Sequence, residues 1–124
     1  MKEITISIVS HNNESLIEEM LKESSHIYMD NKIEILIREN KLKSSKVFRE
    51  LENSNSNIKV FFNKKEFGFG RNQNLNFKRK DPHTKWFIVC NPDLKKLPDK
   101  LELGKYNPKK HNVISGNILN EKGL

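Results

Sequence analysis

Apolar and polar residues alternate at the start of the chain, where isoleucine occupies every second position of Ile4–Ile8. A repeat of two residues is typical of a β-strand with one buried face, so the pattern predicts a strand over Ile4–Ser10. The polar run His11-Asn12-Asn13 ends the alternation. We expect Asn12 or Asn13 to cap a helix that begins there, because asparagine side chains accept hydrogen bonds from the free N–H groups of a first helical turn.

Helical and strand-like apolar patterns then follow one another along the chain. The helical patterns repeat every three to four residues, and the strand patterns are short apolar runs bounded by polar residues. The predicted helices run from the Asn12-Asn13 turn to about Ser25, from Ser44 or Ser45 through Leu51, and through Asn74, Leu75 and Phe77 to near Lys80. The further predicted strands are Ile33–Ile37, Ile58–Phe62, Trp86–Cys90 and a last strand or strand pair within Asn112–Leu119.

The run Trp86–Cys90 is wholly apolar and too short for a helix, which favours a strand buried on both faces. Pro92 ends the strand, because proline cannot donate to a sheet and disfavours helix at the residue before it. Asp93 is then left at the carboxyl end of the strand, where an aspartate can hold a divalent cation and, through it, a diphosphate. Taken alone, Asn91-Pro92-Asp93 is also an ordinary turn sequence.

Strands that alternate with helices predict an α/β fold, a Rossmann-like and mostly parallel sheet flanked by helices, in a single domain over residues 1–124. Parallel strands all end at the same edge of the sheet, and open α/β sheets bind their ligands at that edge. We therefore expect four polar loops to converge there: Ser10–Asn13, Glu39-Asn40, Gly68–Asn74 and Asn91–Asp93.

The chain carries a net charge of +7, which favours a polyanionic partner. The lysines are scattered among many asparagines, however, so a general bias in composition explains the charge as well. We do not expect nucleic acid as the partner, because the sequence contains no recognisable nucleic-acid-binding module or stacking platform. Cys90, the single cysteine, lies in the apolar run and is predicted to be buried. No apolar stretch approaches transmembrane length, and a cytoplasmic setting is expected.

Four stretches, in the correct order, resemble the N-terminal half of the family 2 glycosyltransferases, which are inverting enzymes with a GT-A fold. The stretches are Ile6–Asn12, Ile35–Asn40, Gly68–Leu75 and Val89–Leu94. The last one contains the Asn-Pro-Asp variant of the Asp-X-Asp motif that is frequent in rhamnosyltransferase-like members. The resemblance implies a domain that binds a UDP- or dTDP-linked sugar for inverting transfer to a saccharide or lipid-linked acceptor in polysaccharide biosynthesis.

The resemblance also implies which residues contact the donor. They are Ser10, His11, Asn12, Glu39, Gly68, Arg71, Asn74, Asn91 and Asp93. Asp93 is the implied ligand of Mg²⁺ or Mn²⁺, and we expect weak binding because Asn91 is neutral where the family usually has an aspartate. Glu39 stands at the position of the aspartate that contacts the nucleobase, and its side chain is one methylene longer.

The same residues suit a nucleotide on chemical grounds. The ends of the first two strands offer the donors and acceptors that a base edge needs. Arg71 can contact a diphosphate, or it is a solvated side chain at the start of a helix. For Asn74 we favour a hydrogen bond that pins the preceding loop over direct contact with the ligand. For His11 we favour a place in the wall of the base pocket over a role as acid or base.

Residues 113–123 resemble the strand that precedes the acceptor-binding half in this family, and no carboxylate of the chain can be assigned as the catalytic base. We therefore expect this chain to bind donor but to transfer sugar slowly or not at all by itself. We also expect self-association or a partner chain at its C-terminal region, and a cytoplasmic location that includes the inner face of the membrane. The alternative is a non-catalytic module that binds a nucleotide or nucleotide sugar.

Overall fold

The computed structural model describes residues 2–94 and Leu97. The elements in chain order are β1 (Ile4–Ser10), α1 (Glu14–Glu23), α2 (Ser25–Tyr28), β2 (Ile33–Glu39), α3 (Lys46–Ser54), β3 (Ile58–Phe62), α4 (Phe69–Arg79) and β4 (Trp86–Cys90). Every strand and helix predicted before residue 91 is confirmed, with shifts of a few residues at the ends. The strand predicted within Asn112–Leu119 lies outside the described residues. Within the described part of the chain, no helix is long and apolar enough to cross a membrane.

Helix α1 ends at Glu23, close to the predicted end near Ser25, and a break at Ser24 separates it from the short α2, which was not predicted. The buried Oγ of Ser24 donates to the carbonyl of Met20 at 2.6 Å, and its backbone N–H donates to the carbonyl of Leu21 at 3.1 Å. A serine that bonds back to the residue four positions earlier competes with the regular helical pattern, so α1 ends at Glu23. The same Oγ accepts the backbone N–H of Leu97 at 2.7 Å, which holds the fully buried Leu97 against the core.

The starts of α3 and α1 differ in how they are capped. Ser45 begins α3 as predicted, and its Oγ accepts the backbone N–H of Phe48 at 3.1 Å. Asn13 occupies the corresponding position before α1, but its side chain makes no capping bond, so that part of the prediction is wrong. The Oδ1 of Asn13 instead accepts the backbone N–H of His11 at 2.7 Å, and this bond folds the loop after β1 onto itself.

The four strands form one parallel sheet in the order β3-β2-β1-β4. In this register Ser10 lies opposite Glu39, and Glu39 lies opposite Phe62, so the first three strands end level with one another. The loops after all four strands therefore leave from the same side of the sheet, which we call the carboxyl edge. This topology confirms the predicted Rossmann-like α/β fold.

The apolar core lies on one face of the sheet, against α1 and α3. Its fully buried side chains include Ile6, Ile8, Ile17, Met20, Leu21, Ile35, Ile37 and Phe48. Burying a side chain of this size contributes about 1.5–3 kcal/mol. The alternation of isoleucine with polar residues in β1 therefore reports a real difference between the two faces.

Helix α4 covers the opposite face and packs against it through polar side chains. Its buried residues are Asn72, Gln73 and Asn76. The Nδ2 of Asn76 donates to the Oγ of Ser7 at 2.8 Å, and Ser7 points away from the face that carries Ile6 and Ile8. The second face of the sheet is thus joined to its helix by hydrogen bonds.

Strand β4 is not buried on both faces, and that prediction is wrong. Within the sheet that the structure describes, β4 lies at an edge beside β1 alone, and Cys90 is its only buried residue. Val89 is 47% exposed. On the same face, the half-buried ring of Phe87 makes an edge-to-face contact with the exposed ring of Phe77 at 5.2 Å. The apolar run indicated a strand correctly, but it carried no information about how many neighbours the strand would have.

Candidate functional site

Glu39, at the end of β2, joins two of the loops at the carboxyl edge. Its side chain is fully buried, and its Oε1 accepts a hydrogen bond from Ser10 Oγ at 2.6 Å. Its Oε2 accepts the backbone N–H groups of Lys41 and Leu42 at 2.7 and 2.9 Å. The backbone N–H of Asn12 lies 3.2 Å from both oxygens. One carboxylate thus holds the loops after β1 and β2 together, through bonds that its charge strengthens.

The loop after β1 presents His11 and Asn12 to solvent. Asn12 has a φ of 63°, the only positive φ of a non-glycine residue in the part of the chain that the structure describes. Asparagine adopts this left-handed conformation more readily than most residues do. Because both oxygens of Glu39 are bonded within the chain, the groups left to face a ligand at this loop are the exposed side chains of His11 and Asn12.

Three buried asparagines, Asn40, Asn63 and Asn72, form a second group that we call the amide cluster. The Nδ2 of Asn63 donates to the Oδ1 of Asn40 at 2.8 Å and to the Oδ1 of Asn72 at 2.6 Å. Asn40 and Asn72 both donate to the carbonyl of Phe67, at 3.0 and 3.1 Å, and Asn40 accepts the N–H of Phe67 at 2.9 Å. The amide cluster therefore fixes the loop before α4 to the ends of β2 and β3.

Asn40 also links the amide cluster to the first loop. Its Nδ2 lies 3.1 Å from the Nδ1 of His11. An amide nitrogen can only donate, so His11 Nδ1 accepts this bond and the ring proton lies on Nε2. The imidazole is thereby held in one orientation at the surface, with its Nε2–H available as a donor to a ligand.

Arg38 lies next to the amide cluster and is 7% exposed. Its Nε donates to Asn76 Oδ1 and its Nη1 donates to Asn63 Oδ1, both at 2.9 Å. Burial, and after it the positive charge of Arg79, lowers the pKa of Arg38 below its ordinary value. A nearly buried cation is therefore held in place by neutral amides.

Helix α4 begins at the carboxyl edge, and its N-cap residue is Gly68. Among the described residues, no side chain caps the first N–H groups of this helix. Arg71 is exposed, and its guanidinium lies 4.2 Å from the centroid of the Phe67 ring. Asn74 is also exposed, and the contact to the preceding loop that we expected from it is made by Asn72.

Asn91 and Asp93 follow β4 at the same edge, and both are exposed. The backbone N–H of Leu94 donates to the carbonyl of Asn91 at 3.4 Å, which closes the turn. Among the residues that the structure describes, no group of three or more His, Cys, Asp and Glu side chains could hold a metal ion. A divalent cation at Asp93 would therefore need further oxygen ligands from a diphosphate or from water, and the protein alone should bind it weakly.

Four residues that shape this site were not predicted from the sequence, namely Arg38, Asn63, Asn72 and Asn76. One signal for them was present, because Asn72 and Asn76 are four residues apart and so share one face of α4. Arg38 comes directly after the apolar run Ile35–Ile37 and still lies within the predicted stretch that ends at the carboxyl edge, which was a second signal.

We expect Cys90, just before the Asn91 turn, to be unreactive in the folded protein. Its side chain is 8% exposed, and burial raises the pKa of its thiol to about 11. The thiolate is the reactive form, and almost none is present near neutral pH. Iodoacetamide in mildly alkaline buffer should label Cys90 slowly, and labelling should become fast in denaturant, as measured by mass spectrometry. Equally fast labelling in both conditions would contradict the burial of this thiol.

No protein-family model and no curated protein matches the chain. Among solved structures, it is similar to the mannosyltransferase PcManGT from Pyrobaculum calidifontis in complex with GDP-Man and Mn²⁺, with a TM-score of 0.56 and 15% sequence identity. The similarity covers 73% of this chain and 27% of that chain. It shows that the parallel sheet and its helices have the fold found in a glycosyltransferase, and that this chain spans well under half of that neighbour's length.

Proposed function

We propose that this chain is a glycosyltransferase-like domain that binds a nucleotide-diphosphate sugar at the carboxyl edge. The observation that carries the proposal is the arrangement at this edge. Glu39 holds the loops after β1 and β2 together, and the amide cluster fixes the loop before α4 beside them. Open α/β sheets bind nucleotides at this position. The resemblance of four sequence stretches to family 2 glycosyltransferases and the fold shared with a mannosyltransferase solved with GDP-Man support the same class of ligand.

Exposed groups at the carboxyl edge can serve each part of such a ligand. We assign the nucleobase to the loop that presents His11 and Asn12, with the buried Ser10 and Glu39 holding that loop in place. We assign the diphosphate to the uncapped start of α4, where free N–H groups and the positive end of the helix dipole favour an anion. Arg71, in the first turn of α4, adds a positive charge there.

Asp93, with Asn91 beside it, is the proposed holder of a divalent cation that the diphosphate shares. When bound, Mg²⁺ or Mn²⁺ would neutralise the negative charge that develops on the departing nucleotide. The donors that we propose are the UDP- and dTDP-linked sugars that the sequence resemblance implies. Guanosine diphosphate mannose is the necessary comparison, because the structural neighbour was solved with that donor.

Calorimetric titration with UDP, dTDP, GDP and their sugars, with and without Mg²⁺ or Mn²⁺, tests this function. We expect a uridine or thymidine diphosphate sugar to bind, and to bind more tightly with the cation. The exposed Asp93 follows β4 and does not pack within it, so Asp93→Asn should remove most of the metal-dependent gain in affinity and leave the fold intact. Circular dichroism checks the fold.

Asp30→Asn is the matched control, because it makes the same chemical change in an exposed turn before β2, at the opposite edge of the sheet. Its metal-dependent gain should equal that of the unaltered chain. Equal affinities with and without metal in the unaltered chain would exclude the cation role of Asp93. A failure of every nucleotide in the panel to bind would exclude the proposed function itself.

A non-catalytic nucleotide-sugar module is the second candidate, and the bonding of Glu39 favours it. Glu39 is saturated by donors within the chain, and Asp93 is assigned to the cation, so neither carboxylate is free to deprotonate an acceptor. Nucleotide release from a donor sugar, measured with a broad mixture of acceptors, separates the candidates. Acceptor-dependent turnover by the chain alone would exclude the non-catalytic module.

A further inference from the structure

The outer flank of the sheet, along β3 and α4, carries two cations that the proposed function does not use. The guanidinium carbons of Arg38 and Arg79 lie 4.9 and 5.6 Å from the centroid of the same ring, that of Phe61. Arg38 reaches the ring from β2, where it lies opposite Phe61, and Arg79 reaches it from the last residue of α4. Two positive charges therefore lie beside one half-buried aromatic ring.

No acidic side chain balances these two charges in the part of the chain that the structure describes. The salt bridges there involve other residues, and the hydrogen bonds of Arg38 go to the neutral amides of Asn63 and Asn76. Burial and the neighbouring charge of Arg79 both lower the pKa of Arg38, which means that both disfavour its charged form. An anion between the two guanidinium groups would offset both effects.

One nitrogen of the Arg38 guanidinium, Nη2, makes no hydrogen bond to the described residues, whereas Nε and Nη1 have partners. Gln73 Nε2 is the fully buried side-chain nitrogen or oxygen that lacks a partner among the described residues, so within that part of the chain Nη2 of Arg38 is not fully buried. Arg38 is only 7% exposed, so the part of it that an anion can reach is small, and it lies next to the exposed Arg79.

We propose that Arg38 and Arg79, beside Phe61, form a binding site for a phosphate group. Guanidinium groups bind phosphate through charge-assisted hydrogen bonds in a fixed planar geometry, and a ring at their side limits competing solvent. Arg79 and Gly68 stand at opposite ends of the 11-residue helix α4, which is about 16 Å long. The proposed site, which we call the flank site, is therefore separate from the place assigned to the donor diphosphate. Its ligand is a soluble phosphate ester or the phosphate of a lipid head group.

Titration with inorganic phosphate tests the flank site, followed by NMR of the arginine Nε–H signals, with sodium chloride at matched ionic strength as the reference. The signals of Arg38 and Arg79 should shift with saturation in phosphate and not in chloride. Arg79→Gln should weaken this binding about tenfold, because it removes one charged donor group. Arg79 is exposed, so the variant should fold normally.

Lys80→Gln is the matched control. It removes the same charge one residue further along, from a side chain whose Nζ lies 4.8 Å from the Phe77 ring on the other flank of α4. Its phosphate affinity should be unchanged. Arg71→Gln should likewise leave the phosphate response of Arg38 intact, which separates failure of the flank site from failure of the nucleotide site.

Sedimentation with phosphatidylglycerol vesicles identifies the source of the phosphate. Vesicle binding that Arg79→Gln abolishes and Lys80→Gln preserves assigns a lipid head group. Saturable phosphate binding without such vesicle binding assigns a soluble phosphate ester. Shifts that do not saturate, or an equal affinity in Arg79→Gln and the unaltered chain, would overturn the proposal.

Discussion

Replacing Glu39 with glutamine should lower the free energy of unfolding by roughly 4 kcal/mol. Glutamine has nearly the same size, but one of its two side-chain ends is an NH₂ group. Turned one way, this NH₂ group would face the N–H groups of Lys41 and Leu42. Turned the other way, it would face the N–H of Asn12, and the hydroxyl of Ser10 would lose its acceptor. Urea unfolding followed by circular dichroism measures the loss. The total free energy of unfolding of a protein domain is about 5–15 kcal/mol, so the effect is large.

Glu19→Gln supplies the control, because Glu19 is exposed on α1 and the same change there should cost less than about 0.5 kcal/mol. In the proposed function, Glu39→Gln should also weaken nucleotide binding in conditions where the variant remains folded, since Asn12 would no longer be held. A Glu39→Gln protein as stable as the Glu19→Gln protein would show that the carboxylate does not hold the two loops together.

The sequence predicted the sheet well because its physical signal is local. Isoleucine at every second position of Ile4–Ile8 indicates a strand with one apolar face, and the structure places Ile6 and Ile8 in the core while Ser7 bonds to α4. Parallel topology then follows from the alternation of strands and helices. Once the strands are parallel, the loops after them must share an edge. The prediction of where a site should lie therefore needed no knowledge of any side-chain contact.

The contacts that shape the site could not be predicted in the same way, because they join residues far apart in the sequence. Asn63 contacts Arg38 and Asn40, and an asparagine in a loop is, by its local sequence alone, simply a turn residue. We expected Asn74 to contact the preceding loop, but Asn72 makes this contact, for a similar reason. These residues are two positions apart, so they project to nearly opposite sides of α4, and the apolar pattern of this polar helix did not indicate which side would be buried.

The apolar pattern was limited in the same way, because it did not predict the surroundings of β4 or the structure around Ser24. A run of apolar residues identifies a strand, yet Val89 is exposed and β4 has one neighbouring strand among the described residues, because the elements that surround a strand are a property of the whole fold. The end of α1 was predicted near Ser25, but the bond from Ser24 Oγ to Met20, which places that end at Glu23, and the short α2 after it were not predicted. In both cases the deciding feature lies outside the local sequence pattern.

Asn63 is the residue whose partners connect the sheet, the amide cluster and the flank site, so we expect Asn63→Leu to destabilise the protein by roughly 3 kcal/mol. Leucine has the same branched arrangement of side-chain heavy atoms but no polar atoms. The substitution would leave Arg38 Nη1 and the Oδ1 of Asn72 without their partners in a buried region, whereas Asn40 Oδ1 would keep the N–H of Phe67. Urea unfolding measures the change in the free energy of unfolding.

Asn53→Leu makes the identical substitution at an exposed position near the end of α3 and should change stability by less than about 0.5 kcal/mol. Because Asn63 anchors the loop that leads into α4, Asn63→Leu should also reduce nucleotide affinity, although Asn63 is buried beneath the loop and is not proposed to touch the ligand. Calorimetric titration at a temperature where the variant is folded separates this effect from unfolding. Unchanged stability and unchanged nucleotide affinity together would mean that the amide cluster does not position α4, because leucine would have replaced its central member without consequence.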